Sequence, residues 1–203
     1  MIPKYIEKLK RGPQVVLPKD AGMIIAYSGI SNQSLVLNAG AGSGWLDVQL
    51  GRIAKRVVSY EKRPEFLEIA QKNVKRCSLE NVEIRLRDVI ERGFDEKEAD
   101  VIVLDMAESH LAVAKAVESL KEGGMLVGYV PHTDQMAAFV NACEAVGFAD
   151  TYAMEAIVRR MLVRKAGVRP ENMGMMHTAY LVFALKGEKE LTKRELKKAR
   201  KKM

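Results

Sequence analysis

Through the first three quarters of the chain, short apolar runs alternate with amphipathic helical patterns. The runs at residues 34–37, 56–60, 82–86, 100–104 and 125–130 are short, nearly continuous and rich in Val, Ile and Leu, which predicts strands buried on both faces. Between them, residues 45–53, 65–77, 111–120 and 135–146 place apolar side chains at helical spacing, and Gly123-Gly124 reads as a break before the fifth strand. Such a βαβ series specifies an α/β fold, a doubly wound layer around a mostly parallel sheet. After residue 148 the rhythm changes. Two longer strand-like stretches, near residues 152–163 and 177–185, leave no room for a full crossover helix and predict an antiparallel C-terminal hairpin at the sheet edge. No Pro/Gly/Ser linker or internal repeat divides the chain, so residues 1–186 read as one domain and residues 187–203 as a basic C-terminal helix or tail.

Composition narrows the class. At 203 residues, 48% hydrophobic and 29% charged, the chain is ordinary globular material long enough for one sizeable core. No apolar run approaches the roughly 20 residues of a membrane span, and the charged, alternating start lacks a signal-peptide core, so a cytoplasmic protein is expected. Cys77 and Cys143 stand far apart with no ligand spacing, which favours reduced thiols over a disulfide or a zinc site. The net charge of +7 is uneven. Residues 1–20, 155–185 and 186–203 are each basic, whereas residues 21–154 carry 14 basic against 19 acidic side chains. Basic ends on an acidic body suit a polyanion such as nucleic acid, although charge runs are as often simply solvated.

The first strand runs into Asn38-Ala39-Gly40-Ala41-Gly42-Ser43-Gly44 and then directly into a helix. Alternating glycines permit positive φ and close backbone approach, and the helix start offers free amides, so a nucleotide-like ligand is the natural guest. The spacing lacks the third glycine of a dinucleotide fingerprint and the Lys-Ser/Thr of a phosphate loop, which disfavours NAD and ATP. Glu61 ends the second strand 21 positions after Gly40, the usual separation for a carboxylate on a ribose diol. Asp88 follows the third strand at the same sheet edge and could face an adenine amino group. A glycine turn alone also serves purely structural ends; the ordered set is more specific.

This ensemble resembles the class I S-adenosylmethionine-dependent methyltransferases, whose Rossmann-like, seven-stranded sheet ends in an antiparallel hairpin. Further segments, Arg11-Gly12-Pro13-Gln14-Val15-Val16-Leu17-Pro18-Lys19-Asp20, Val103-Leu104-Asp105-Met106, Gly128-Tyr129-Val130-Pro131, Val168-Arg169-Pro170 and Met176-His177-Thr178-Ala179-Tyr180, are similar in content and order to the tRNA (adenine-N1)-methyltransferases of the T-loop, especially archaeal ones. The resemblance covers about residues 11–186. It implies S-adenosyl-L-methionine as cofactor, held by Asn38, Gly40, Ala41, Gly42, Ser43, Gly44, Glu61, Asp88 and Asp105, and a tRNA adenosine at position 57 or 58 as acceptor. It further implies a homo-oligomer, a tetramer in this family, with the hairpin near residues 154–163 as candidate interface. Three departures stand out. Asn38 occupies a position that is usually acidic, Met106-Ala107 replaces a common Leu-Pro, and only about ten residues precede the first motif where relatives carry a small β-rich domain that helps hold tRNA.

The resemblance assigns catalysis to Asp105, at the end of the fourth strand. Methyl transfer to adenine N1 needs alignment and charge stabilisation rather than a general base, since N1 carries a lone pair and the product ring is cationic. The T-loop base must first be extruded. Tyr129 matches the family tyrosine beside the target base, but it also fits a half-buried core tyrosine. Asp105 has a lesser alternative as a strand-end turn residue or loop cap. His177 begins a strand and suits a structural hydrogen bond, His110 and His132 read as loop or helix-end residues, and Asp20 as the cap of a helix starting at Ala21. Other readings stay open: a small-molecule methyltransferase resembling the decarboxylating precorrin enzymes, or a non-catalytic RNA-binding subunit.

Overall fold

The computed structural model describes residues 3–187 except 13, 173 and 175; from residue 188 onward the expected basic tail lies outside the described residues. A seven-stranded sheet carries the fold. Its strands are β1 (Leu35–Ala39), β2 (Arg56–Glu61), β3 (Val82–Leu86), β4 (Ala99–Leu104), β5 (Leu120–Val130), β6 (Asp150–Glu155) and β9 (Tyr180–Leu185), in the order β3-β2-β1-β4-β5-β9-β6. The first five are parallel, and β9 pairs antiparallel with both β5 and β6. β1 lies between β2 and β4, so the chain winds outward in both directions and leaves a crevice beyond the carboxyl ends of β1 and β4.

Alternation along each strand feeds two cores. Leu37, Val58, Ile102, Leu104, Leu126 and Val182 enter one face, against α6 (Val113–Ser119) and α7 (Thr133–Ala145). Val36, Val57, Val101, Val103, Val127 and Leu181 enter the other, against α2 (Pro18–Tyr27) and α3 (Trp45–Gly51). Both faces are covered, which is why these strands read as continuous apolar runs. A third cluster packs α4 (Pro64–Arg76) on Trp45 and Val48 of α3 and on an amino-terminal strap through Ile6, Leu9 and Val15. Asn73 ties this strap down: it accepts from the Lys10 amide (2.9 Å) and donates to the Lys10 and Ser43 carbonyls (2.8 Å each). The remaining helices are α1 (Lys4–Glu7), within the strap, and α5 (Val89–Arg92).

The structure corrects three expectations. The Gly123-Gly124 break falls inside β5 rather than before it: pairing with β4 jumps from Ala99–Leu120 to Val101–Met125, while the Gly123 amide donates to the Lys186 carbonyl and the Lys186 amide to the Gly124 carbonyl, both at 2.9 Å. The stretch near residues 152–163 is not one strand. It divides after Glu155, and the hairpin partner β9 slots between β5 and β6, leaving β6 at the edge. Residues beyond the division form a separate antiparallel pair, β7 (Met161–Arg164) and β8 (Gly167–Pro170). Asp20 is not a cap either. α2 starts at Pro18 with Leu17 in the cap position, since Asp20 spends its carboxylate on tertiary partners.

Candidate active site

The glycine loop joins β1 to α3, and its backbone is fixed from both sides. The Gly40 and Ala41 amides both donate to the Tyr60 carbonyl (2.9 and 3.1 Å), and the Asp105 amide donates to the Ala39 carbonyl (2.8 Å). Gly40 has φ +89°, and a Cβ there would lie 1.9 Å from the Asp105 carbonyl oxygen; only glycine lets the loop approach the end of β4 this closely. Gly44 precedes α3 at φ +77°, where a Cβ would press on Ala70 at 3.1 Å.

A cavity of about 250 Å³ opens in front of this loop, lined among others by Gln14, Gly40, Gly42, Glu61, Asp88 and Asp105. Glu61, 3% exposed, is oriented by the loop it faces: one oxygen accepts the Gly42 amide (2.8 Å) and the other accepts the Arg63 amide (3.0 Å) and Nε (3.1 Å). Asp88 caps α5 by accepting the Ile90 amide at 2.9 Å, and its second oxygen lies 3.9 Å from Lys62 Nζ. Asp105 is pushed up to about 7, first by removal from water and then by the charges of Asp47 and Glu61. Three carboxylates thus share one field, and a cationic occupant would relieve it.

Ala41 and Ser43 line a smaller recess that shares Gln14, Gly40, Gly42 and Asp105 with the cavity and also meets Trp45. Asn38, expected among the cofactor ligands, does not line the cavity. Its amide nitrogen donates to Asp47 in α3 at 2.7 Å, and the Ser59 hydroxyl donates to the same carboxylate oxygen. Burial pushes Asp47 up to about 6, with the two hydrogen bonds opposing. Sequence reasoning missed Asp47. All seven residues of α3 are buried, which spacing alone does not show for a single acid in a helix.

Tyr129 also stands off the cavity wall. It is 2% exposed, its hydroxyl donates to Asp20 at 3.4 Å, and burial with the charges of Asp20 and Asp105 raises its phenol above the ordinary value. Asp20 is fully buried and also accepts from Lys19 Nζ (2.7 Å) and the Thr178 hydroxyl (2.9 Å), while Lys19 donates further to Thr178 (2.7 Å) and the Ala156 carbonyl (2.6 Å). The Pro-Lys-Asp and His-Thr-Ala-Tyr segments therefore meet in one buried network behind the end of β5. The two ring nitrogens of His177 reach the Glu155 carboxylate (2.6 Å) and the Pro131 carbonyl (2.8 Å). Both partners are acceptors, so the imidazolium satisfies both, and its pKa is raised, first by the Pro131 bond and then by Glu155. The expected structural role holds. His110 lies in a short 3₁₀ turn and His132 at the cap of α7, the helix-end positions expected of them.

A family model described as tRNA methyltransferase complex GCD14 subunit matches residues 5–198. The chain belongs to this family. Among curated relatives, the tRNA (adenine(57)-N(1)/adenine(58)-N(1))-methyltransferase TrmI of Methanocaldococcus jannaschii is 34% identical over 88% of this chain and 74% of its own length. Two solved structures are similar over most of this chain. A SAM-dependent O-methyltransferase from Thermotoga maritima superposes with a TM-score of 0.86 at 30% identity, covering 94% of this chain and 74% of that one. The tRNA (m1A58) methyltransferase TrmI of Aquifex aeolicus gives 0.83 at 29%, covering 90% and 74%. The fold expected from the family, a mostly parallel seven-stranded sheet with an antiparallel strand, is the fold observed.

Proposed function

We propose that the chain is an S-adenosylmethionine-dependent methyltransferase acting on N1 of a T-loop adenosine of tRNA, at position 57 or 58. Family membership supports the reaction class, and one observation carries the site: Asp105 stands on the wall of a cavity that also holds the glycine loop and Glu61, with no bond to neutralise its carboxylate among the described side chains. The residues present fit a nucleoside sulfonium. Gly40 and Gly42 bring bare backbone to the cavity, Glu61 offers an oriented carboxylate to a ribose diol, and the Asp88 oxygen not used in the cap, loosely paired with Lys62, suits an exocyclic amine. When bound, the cofactor supplies an electrophilic methyl group. Asp105 accepts the N6 hydrogen of adenine, aligns N1, and stabilises the positive charge that grows on the ring. No residue need remove a proton before transfer. Tyr129, anchored to Asp20, fixes the end of β5 beside the acceptor.

Phosphates of tRNA would meet the basic segments, including the exposed Arg159, Arg160, Arg164, Lys165 and Arg169. Ile157, Val158, Met161, Val163 and Val168 are each more than half exposed around the β7–β8 pair, and β6 is an open edge, which suits a homo-oligomer, a tetramer in this reading. No helix among the described residues is long and apolar enough to cross a membrane, and the enzyme is read as cytoplasmic. The test is transfer of labelled methyl from S-adenosylmethionine to unmodified tRNA with nucleoside analysis. The expected product is N1-methyladenosine, reduced about 10²–10³-fold in Asp105→Ala, the typical loss on removing one charge-stabilising group. Labelled product on another base, or none with cofactor bound, would overturn the acceptor assignment.

A further inference from the structure

Directly after Asp105 the chain turns along the cavity wall. Met106, Ala107 and Glu108 line the cavity with it, and the Ser109 amide donates to the Met106 carbonyl at 3.2 Å, closing a four-residue turn in which Glu108 (φ −105°, ψ 36°) takes the third position. Met106 faces the glycine loop: its Cβ lies 3.4 Å from where a Cβ on Gly40 would stand. The carbonyl of Ala107 takes no part in the closing bond. Among the described residues it has one partner, Nε2 of Gln135 in α7, which donates to it at 3.1 Å.

Gln135 makes this bond at a cost to itself. It occupies the third position of α7, from which a glutamine side chain can fold back onto the cap amide, yet here it reaches across to the turn and no side chain caps the helix. Its Oε1 is buried without a hydrogen-bond partner among the described residues. The amide cannot turn round to relieve this, because Oε1 would then meet the Ala107 carbonyl, acceptor against acceptor. A buried acceptor without a donor destabilises, so a methionine of similar shape would serve stability as well or better. What the amide adds is the bond to the turn. That bond ties the residue two places past Asp105 to the helix that follows β5, and so bridges the ends of β4 and β5 beside the cavity.

We propose that Gln135 is a positioning residue for methyl transfer: by pinning the Ala107 carbonyl it holds the Met106–Ser109 turn, and with it the Asp105 end of β4, in the geometry that presents the acceptor base. This rests on the acceptor reading above. Gln135 does not itself line the cavity; it acts through the turn. Alignment is what an in-line displacement demands most, and a wall that drifts lowers the rate without loosening a cofactor that rests on the glycine loop and Glu61.

Kinetics of methyl transfer to unmodified tRNA, read beside calorimetric binding of S-adenosylhomocysteine and thermal melting, test the inference. In Gln135→Met, kcat should fall about tenfold while the KM for tRNA and the affinity for S-adenosylhomocysteine stay at wild-type values, the pattern of a lost alignment in the transition state. The melting temperature should hold or rise, which a purely structural anchor would not allow. Ala107 occupies the second position of the turn and its amide has no acceptor among the described residues, so proline fits there and stiffens the turn from within. Adding Ala107→Pro to Gln135→Met should therefore recover most of the lost kcat. An undiminished kcat in Gln135→Met would overturn the inference, and so would a loss that proline does not repair or one matched by a lower melting temperature. A wild-type protein that methylates no tRNA overturns the acceptor reading first, and this inference with it.

Discussion

The two halves of the sheet end in opposite surfaces. In β3-β2-β1-β4, strand ends place Glu61, held by backbone amides, and Asp105 on the cavity, while Asn38 and Ser59 bind Asp47 behind it. In β5-β9-β6 and the β7–β8 pair, polar groups are locked away in the Lys19–Asp20–Thr178–Tyr129 network, and apolar side chains such as Val163, 76% exposed, face outward. The first half is arranged for a small charged ligand. The second leaves large aliphatic groups exposed beside an open edge strand.

The largest effect expected on stability comes from the second half. Lys19→Met leaves Asp20 buried without its cation and should cost about 3–5 kcal/mol in chemical denaturation, with only the Thr178 and Tyr129 hydroxyls still donating. A smaller loss would mean the network tolerates a neutral Asp20. Next is the loop. Gly40→Ala puts a methyl group into the Asp105 carbonyl at positive φ and should cost about 3 kcal/mol, whereas Gly147→Ala, at φ +82° with nothing within 4 Å, should cost only about 1 kcal/mol. Equal losses would show that φ alone matters and that the contact with β4 is slack.

The buried carboxylates of the first half give a pH signature. Asp47 and Asp105 hold folded-state values of about 6 and about 7, above the ordinary 3.8, so the folded protein keeps their protons longer than the unfolded chain. Their contribution to stability is fully present below about pH 4 and is lost as pH rises through 6 to 7. In ligand-free protein, Asp47→Asn should gain on wild type by about 2 kcal/mol between pH 4 and pH 8, followed by thermal melting. A gap that does not widen with pH would mean Asp47 is not desolvated. The smallest effect on the folded chain is expected from Val163→Lys, within about 0.5 kcal/mol of wild type, since the side chain is exposed. If the chain assembles as proposed, sedimentation should nevertheless show that variant shifted toward the single-chain mass; an unchanged distribution would take the hairpin out of the proposed interface.

How much of this was legible depended on whether a residue's partners lie near it along the chain. The strands from 34 to 130 were readable because burial on both faces writes an unbroken apolar run, and the loop with Glu61 was readable because a turn and the next strand end are linked by one βα unit. Asp20 was misread as a cap because, besides the adjacent Lys19, its partners Thr178 and Tyr129 are 158 and 109 positions away. Asp47 escaped for a related reason: from spacing alone a single acid in a helix is a solvent-facing charge, and only packing between β1 and β2 turned it inward.

By itself, the sequence determined the α/β class, the order of the elements, the glycine loop and the carboxylates at strand ends, because period, turn chemistry and covalent spacing are local properties. Tertiary structure alone decided that β9 enters the sheet between β5 and β6, that Tyr129 turns from the cavity to Asp20, and that Asn38 and Asp47 share one buried site. Those choices are made by which polar group can be satisfied once water is gone, and that competition begins only when distant segments come together.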